Sequence, residues 1–466
     1  VPAQDGYVIG EKELTAMKKG AGIVNAARGG VIDEVALVDA LNSRQIAFAG
    51  LNLSDMRGTE IKRYISPNGA TEICVIPAHL AGAAYSESDL KREKKICDFN
   101  FYKDSSVLCP KYNSTSAAVI AYSTQSATAK KDLQNAKQCI ALDGDKVTTV
   151  SVEKIGKFKQ NEPFNETTTT NISSPLAYYH VSRALGHILN IPIAVIRTMD
   201  IKGHQEVNGI FNELSKLTKV SAGTKAGWKA FANLHQGKHD EFSVYTSDQG
   251  QIYGAIVKGG GTIKAYDIEE ESLIAKTAFY KAQQSSNSIL KILNGANESA
   301  KRELVLQTGD MADMVVIDTL LEQIDRYSGS NIETYNIFWN GQTYLSQKDV
   351  EGLSVEEVQK MKKIKRLSIQ DTDAGMMSSQ NLRNWERVEK LRHISPSTYK
   401  GVLALARIPD LKLFMQRETL MSDKESSRFV ASVIKMSQKL EKDCRSGRLL
   451  VDLDVDAVLS NLATPS

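Results

Sequence analysis

The chain has 466 residues, of which 42% are apolar and 24% charged, and a formal net charge of +3. That length predicts more than one domain, with enough apolar material for a sizeable core. So small a charge argues against a nucleic-acid partner, and no apolar run approaches the roughly 20 residues of a membrane span.

Val1-Pro-Ala-Gln-Asp5 contains neither an initiator Met nor a signal peptide, which predicts a fragment or a processed product. Cys74, Cys97, Cys109, Cys139 and Cys444 lack metal-ligand spacing. Two of the three between 97 and 139 could pair in a secreted protein; buried free thiols are the other reading. Asn-x-Ser/Thr triplets at Asn52, Asn113, Asn165, Asn171 and Asn297 matter only in a secretory compartment.

The first elements alternate. Glu11 to Lys19 reads as a helix and Gly22-Ile-Val-Asn-Ala as a buried parallel strand. Asp33 stands as N-cap of a helix to Ser43, and Ile46 to Leu53 is a second strand. This is half of a doubly wound α/β domain. The block M-K-K-G-A-G-I-V-N-A-A-R-G-G-V-I-D-E-V-A-L-V-D-A-L, followed by P-A-H-L-A-G-A-A, resembles the D-2-hydroxyacid dehydrogenases. The resemblance implies that Arg28 binds a substrate carboxylate and that His79 is a general acid/base. It sets Asn52 where that family has a cofactor-binding Asp, and Asp55 is the acid nearest its catalytic Glu. The G-x-G-x-x-G turn that seats a pyrophosphate does not occur in this stretch. The expectation is therefore an incomplete Rossmann-type segment over residues 1–93, a remnant without NAD affinity. NAD enters only under an alternative reading of the chain as a dehydrogenase fragment.

Residues 94–138 read as a linker with lead-in strands, including the apolar run Ala117 to Tyr122. Strand-like segments follow at Cys139-Ile-Ala-Leu142, Val147 to Val152 and Lys157-Phe-Lys-Gln160. Ser174 and Pro175 suit the cap and first position of a helix to Leu185, which Gly186 ends. His180 and His187 are expected as core or cap residues. Ile191 to Arg197 is a strand, Phe211 to Leu217 a helix, and Gln251 to Gly261 a strand running into glycines. That triple glycine lacks the phosphate-loop pattern and reads as a hairpin turn. Ser272 to Asn294 has the spacing of one long amphipathic helix. Helices are predicted at Lys400 to Arg407, Leu411 to Met421 and Ser426 to Cys444.

Two polar knots stand out. Val315 to Asn331 is an amphipathic helix (Val316, Leu320, Ile324) entering a turn of Asp, Arg, Ser, Gly and Asn. Ile369-Gln-Asp-Thr-Asp-Ala-Gly375 follows the strand-like Arg366-Leu-Ser-Ile. Phosphoryl transfer needs one carboxylate to orient the attacking hydroxyl, then an amide and a carboxylate to hold a divalent ion against the phosphates. Asp325 fits the first role, beside Arg326. Asn331 and Asp371, with Asp373 close by, fit the second.

The blocks K-F-K-Q, P-L-A-Y-Y-H-V-S-R-A-L, I-P-I-A-V-I-R, D-T-L-L-E-Q-I-D-R-Y, I-Q-D-T-D-A-G-M and H-I-S-P-S-T-Y-K-G-V-L-A-L-A recur in order over residues 139 to 420. Together they resemble the secretory-pathway kinases of the Golgi casein kinase and four-jointed type. The resemblance implies that Lys159 pairs with the nucleotide phosphates, with Lys258 as the alternative lysine. Asp325 would be the catalytic aspartate and Asp371 a metal ligand. Pro175 stands where a helix Glu should hold that lysine, with Glu162 or Glu166 as substitutes. Tyr327 replaces a usual His, and Asn331 lies one residue further on than usual.

The fold expected is an α+β bilobal protein-kinase-like domain preceded by the incomplete α/β segment. Its small lobe would span 139–200, an insert 201–313, and a large lobe with C-terminal helices 314–466. The activity expected is transfer of phosphoryl from ATP with Mg²⁺ or Mn²⁺ to a hydroxyl-bearing acceptor. The dehydrogenase fragment and a catalytically dead kinase fold are the alternatives. The kinase-like half points to a secretory setting, the N-terminal half to the cytoplasm.

Overall fold

The computed structural model describes residues 9–25, 32–33, 36–37, 39–40, 43–51, 60–66, 69, 71–113, 116–126, 128–143, 152–161, 170–236, 250–258, 264–265, 276–294, 297–324, 326, 332–350, 352–369, 372–376 and 381–458. Three hydrophobic cores organise them. The smallest joins Leu14, Ile23, Ile32, Leu37, Ala40 and Ile46. Here β1 (Ala21–Asn25) and β2 (Ile46–Leu51) pair in parallel, as the alternating pattern predicts. Asp33 Oδ1 accepts the Ala36 amide at 3.2 Å, the cap expected of it.

The second core fills a seven-stranded sheet and the helices against it. Its strands are β3 (Glu60–Ile65), β4 (Thr71–Ile76), β5 (Ser106–Pro110), β6 (Val119–Thr124), β7 (Val152–Gln160), β8 (Ile193–Asp200) and β9 (Gln251–Lys258). All neighbours are antiparallel, in the order β3-β4-β8-β9-β7-β6-β5. Residues 60–76, read from sequence as part of the dinucleotide segment, thus hydrogen-bond into the second sheet. Three contacts tie them there. Glu72 and Arg197 form an ion pair with both side chains at 0% exposure. Cys74 is bonded to Cys97, and Tyr102 donates to Glu72. The helix Glu87–Asp98 runs through position 93 without a break. A second disulfide joins Cys109 to Cys139, so two of the three cysteines between 97 and 139 pair with each other. Cys444 is free.

Cys139 to Leu142 corrects the sequence reading. It is helical within Ala136–Asp143, because Cys139 and Leu142, three apart, both face the core. Asn135 Oδ1 also accepts the Gln138 amide at 3.1 Å, which starts a helix. Of the Val147 to Val152 segment, only Val152 is described, at the start of β7. The helix around Pro175 begins two residues earlier than expected, at Ser173, whose amide donates to Asn171 Oδ1 at 3.0 Å. Gly186 ends it with φ +98°. His180 is fully buried and His187 follows the helix end, the roles expected for them. Among the described residues 276–294, the long helix expected over 272–294 is two short ones, Ala278–Gln283 and Ile289–Ile292. Ser285-Ser-Asn287 separates them, and Ser285 Oγ accepts the Asn287 amide. Small polar side chains that bond the local backbone compete with helix, and here they outweigh the apolar spacing. The glycines 259–261 lie outside the described residues.

The third core belongs to the C-terminal half and is mainly helical. Its axis is the helix Glu298–Leu320, buried on all sides from Gly309 to Leu320. A small antiparallel sheet lies on it: β10 (Lys264–Ala265), β11 (Ile332–Trp339), β12 (Tyr344–Ser346) and β13 (Lys362–Ile369). Helices Pro396–Leu405, Leu411–Thr419 and Asp423–Arg445 complete the unit near their predicted bounds. The result is a two-lobed α+β body preceded by a Rossmann-type piece. No helix among the described residues is long and apolar enough to cross a membrane.

One pair in the second core sets a pH response. His204 Nδ1 and His235 Nε2 lie 2.9 Å apart beside Trp228 and Phe231. Burial pulls the His204 ring well below the usual imidazole range and His235 down to about 4. Both rings are neutral in the fold, whereas the unfolded chain protonates them below about pH 6.5. Their contribution is therefore intact above that pH and is lost as pH falls toward 4, by about 1.4 kcal/mol per pH unit for each proton. Urea midpoints measured from pH 7.5 to 5 are expected to fall, with a shallower slope in His235→Gln.

Candidate functional site

The two polar knots meet. Ile332, just after the first, pairs with Ile369, the first residue of the second, as β11 lies against β13. On the other side, the Met376 amide donates to the Leu321 carbonyl at 2.7 Å, and the Ile324 amide to Ala374 at 3.4 Å. The two stretches are so held together at both ends. Asp325, Asn331 and Asp371 themselves lie outside the described residues, as do Arg28, Asn52, Asp55, Glu162 and Glu166.

Lys159 reaches this junction from β7 of the other lobe. Its Nζ lies 2.8 Å from Asp373 Oδ2, on the 3-10 turn Thr372–Ala374, and the two side chains are 6% and 7% exposed. The helix Ser173–Ala184 fixes that turn. The Asn171 amide donates to the Asp373 carbonyl at 2.9 Å, and Ser174 Oγ donates to the Thr372 carbonyl. Asn171 is anchored in turn, its Nδ2 donating to Glu425 Oε1 at 3.0 Å. Lys258 lies elsewhere, 3.3 Å from Glu153. Of the two lysines proposed for the nucleotide, only Lys159 contacts the second knot among the described residues. Pro175, where a helix Glu was sought, is buried on the same helix.

Gly375 is required at this crossing. A Cβ there would stand 2.8 Å from the Leu321 carbonyl oxygen and closer still to Ser174 Oγ. Gly375→Ala is expected to cost about 1–3 kcal/mol in urea unfolding. Adding Ser174→Ala should not restore it, because the Leu321 carbonyl is backbone.

Arg326 is fully buried. Its Nε donates to Asp318 Oδ2 at 3.2 Å, and Tyr178 donates to Asp318 Oδ1 at 2.6 Å. Asn384 Nδ2 donates to the carbonyls of Asp318 and Gln323. Burial pushes the Asp318 carboxyl up, and the Arg326 charge opposes that shift. The residue that follows Asp325 is thus held rigidly from beneath.

His79 sits at a second cluster. Its Nε2 lies 3.0 Å from Glu93 Oε1, its ring stacks on Tyr85 at 3.8 Å, and Tyr179 donates to the same Glu93 oxygen. The Tyr85 hydroxyl lies within hydrogen-bond distance, 2.6 Å, of His180 Nδ1, and burial brings that ring down to about 3. The sequence offers Asp55 as the acid nearest His79 in the motif; the carboxylate that meets the ring is Glu93, fourteen residues downstream. Glu93 was missed, as was Asp89, which binds Arg183 at 2.8 Å. Both fall on the apolar face of the helix Glu87–Asp98 with Ile96 and Cys97. Acidic residues four apart on a buried stripe are a readable signal of buried partners.

Among the described residues no group of three His, Cys, Asp or Glu side chains could hold a metal ion.

Comparison with known proteins adds two likenesses. Residues 2–80 match the family described as D-isomer specific 2-hydroxyacid dehydrogenase, NAD binding domain. The chain is 53% identical over 51 residues to 4-methyl-2-oxopentanoate reductase A of Aspergillus oryzae, covering 11% of this chain and 16% of that protein. It is 49% identical over 47 residues to D-3-phosphoglycerate dehydrogenase of Methanocaldococcus jannaschii, covering 10% and 9%. To hydroxypyruvate reductase of Blautia hydrogenotrophica it is 37% identical over 82 residues, covering 18% and 24%. The chain therefore spans less than a quarter of the length of each of these relatives. Among solved structures, a Golgi casein kinase with Mn/ADP bound aligns over 79% of this chain and 80% of its own, with TM-score 0.44 and 12% identity. Another Golgi casein kinase structure covers 79% of each chain, with TM-score 0.39 and 11% identity. Both families named from the sequence are thus represented among the proteins this chain is similar to.

Proposed function

We propose that the two-lobed body binds ATP with Mg²⁺ or Mn²⁺ and transfers its γ-phosphoryl group to a hydroxyl-bearing acceptor. The observation that carries this reading is the buried Lys159–Asp373 pair at the meeting of the two polar knots. A cation and a carboxylate brought together from opposite lobes, the carboxylate two residues after Asp371 in sequence, supply charges that phosphoryl transfer uses. Asp371 and Asn331 offer hard oxygen donors, the chemistry Mg²⁺ and Mn²⁺ accept, and Asp373 adds a carboxylate of which one oxygen is committed to Lys159. When bound, the ion would neutralise phosphate charge. Lys159 would hold the phosphates, Asp325 would orient the acceptor hydroxyl, and Arg326, buried on Asp318, would position Asp325 without touching substrate. ATP with Mg²⁺ or Mn²⁺ is expected to raise the thermal midpoint, and Asp371→Asn to abolish the rise. An unchanged midpoint in wild type would count against the reading.

The dehydrogenase reading has one structural observation in its favour, the pair of His79, within the matched residues 2–80, and Glu93, beyond them. A histidine oriented by a carboxylate is suited to proton transfer. Without the pyrophosphate turn in this stretch, we expect NAD titration of the full chain to give no saturable fluorescence change. The test uses the full chain because removing residues 1–93 would also take β3, β4, Cys74 and Glu93.

A further inference from the structure

We propose that Asn297 is a modification site that carries an N-linked oligosaccharide. Two independent features of the chain lead there. The first is redox setting. Four of the five cysteines close two disulfides, Cys74–Cys97 and Cys109–Cys139. Such bridges persist in oxidising compartments and are kept reduced in the cytosol. Those compartments, in eukaryotic cells, are also where Asn-x-Ser/Thr triplets become acceptors for glycans.

The second feature is how the triplets are built into the fold. Asn297-Glu-Ser299 opens the long helix Glu298–Leu320 at the surface. Asn297 is exposed, and its Oδ1 accepts the Ala300 amide at 2.9 Å as the helix cap. Capping uses the carbonyl oxygen of the side-chain amide, whereas glycan attachment uses its nitrogen. Nδ2 of Asn297 makes no hydrogen bond to any described residue. The intervening Glu298 is drawn aside, 3.4 Å from Arg302 and 3.2 Å from Lys362. Cap and glycan can therefore coexist on one side chain.

Asn171-Ile-Ser173 is the opposite case. Its Oδ1 accepts the Ser173 amide and its Nδ2 donates to Glu425, while its backbone holds Asp373. A sugar on that nitrogen would break the Glu425 bond beside the Lys159 site. Asn113 is exposed too, but Thr115 of its triplet lies outside the described residues.

The transfer is a substitution at the sugar. Asn297 Nδ2 forms a bond to the anomeric carbon of a lipid-diphosphate-linked oligosaccharide. The bond from that carbon to the phosphate oxygen breaks, the lipid diphosphate leaves, and the amide gives up one proton to the transferase base. No oxidant or reductant is needed.

The test uses the full chain expressed behind a secretion leader in cultured mammalian cells, recovered from medium and membranes together. Amidase release of N-glycans in heavy-oxygen water, followed by peptide mass spectrometry, reads each triplet separately. The expected result is labelled aspartate at 297, unmodified asparagine at 171, and both disulfide-linked peptides intact. Asparagine at 297 in a chain whose disulfides are closed overturns the proposal, and so do open disulfides. Ser299→Ala separates attachment from capping. It should remove the glycan with the thermal midpoint of the enzymatically deglycosylated protein retained, whereas Asn297→Gln should also lower that midpoint by about 2–4 °C through loss of the cap. Retention of the label at 297 in Ser299→Ala would likewise overturn the proposal.

Discussion

Asp325→Asn is expected to cut phosphoryl turnover by about 10²–10⁴-fold while leaving ATP affinity unchanged. The lost carboxylate acts on the attacking hydroxyl and not on the phosphates, so binding should survive. Its immediate neighbour Arg326 is locked to Asp318, with Tyr178 on the other Asp318 oxygen. An isosteric amide at 325 therefore changes charge without loosening the segment. Asp371→Asn has a different signature, weakening metal-dependent nucleotide binding as well as rate, because a charge that holds the ion is removed. Paired measurements of ATP dissociation constant and turnover distinguish the two. Equal ATP binding by wild type and both variants, with transfer by none of them, would return the chain to the reading of a dead kinase fold that serves as a binding module.

Arg326→Met is expected to destabilise the protein by about 3–5 kcal/mol, the cost of stranding a buried charge whose partner is removed. Asp318 is 1% exposed and Arg326 0%, so water cannot replace the lost partner. Tyr178 still donates one hydrogen bond to the stranded carboxylate, which favours the lower part of that range. The double variant Arg326→Met with Asp318→Leu should recover much of the loss, because no unpaired charge then remains. Urea unfolding of the three chains measures this directly. An Arg326→Met chain as stable as wild type would remove the rigid support assigned to the Asp325 segment.

Legibility in the sequence followed the range of the forces involved. The parallel β1–β2 pair, the Asp33 cap, the helix closed by Gly186 and the C-terminal helices were readable because apolar spacing and capping act within a few residues. Lys159 and the 369–375 knot were singled out by residue type and order, and the structure joins them through Asp373. The misreadings came where neighbours competed. Cys139 to Leu142 has strand-like composition but lies in a helix closed by a disulfide to Cys109. The apolar spacing of 272–294 is interrupted by the local hydrogen bonds of Ser285-Ser-Asn287.

The sequence by itself determined most of the element types and the two polar knots, since each depends on local pattern or local residue chemistry. Only the tertiary structure decided where β3 and β4 belong. Their alternation fits either sheet, and it is the burial of Glu72 against Arg197, the Cys74–Cys97 bond and the pairing of β4 with β8 that commit them to the second. The same holds for Glu93 on His79 and Asp373 on Lys159, fourteen and 214 residues apart. A buried charge must find an opposite one, but burial and partner are both set by the packing of distant segments.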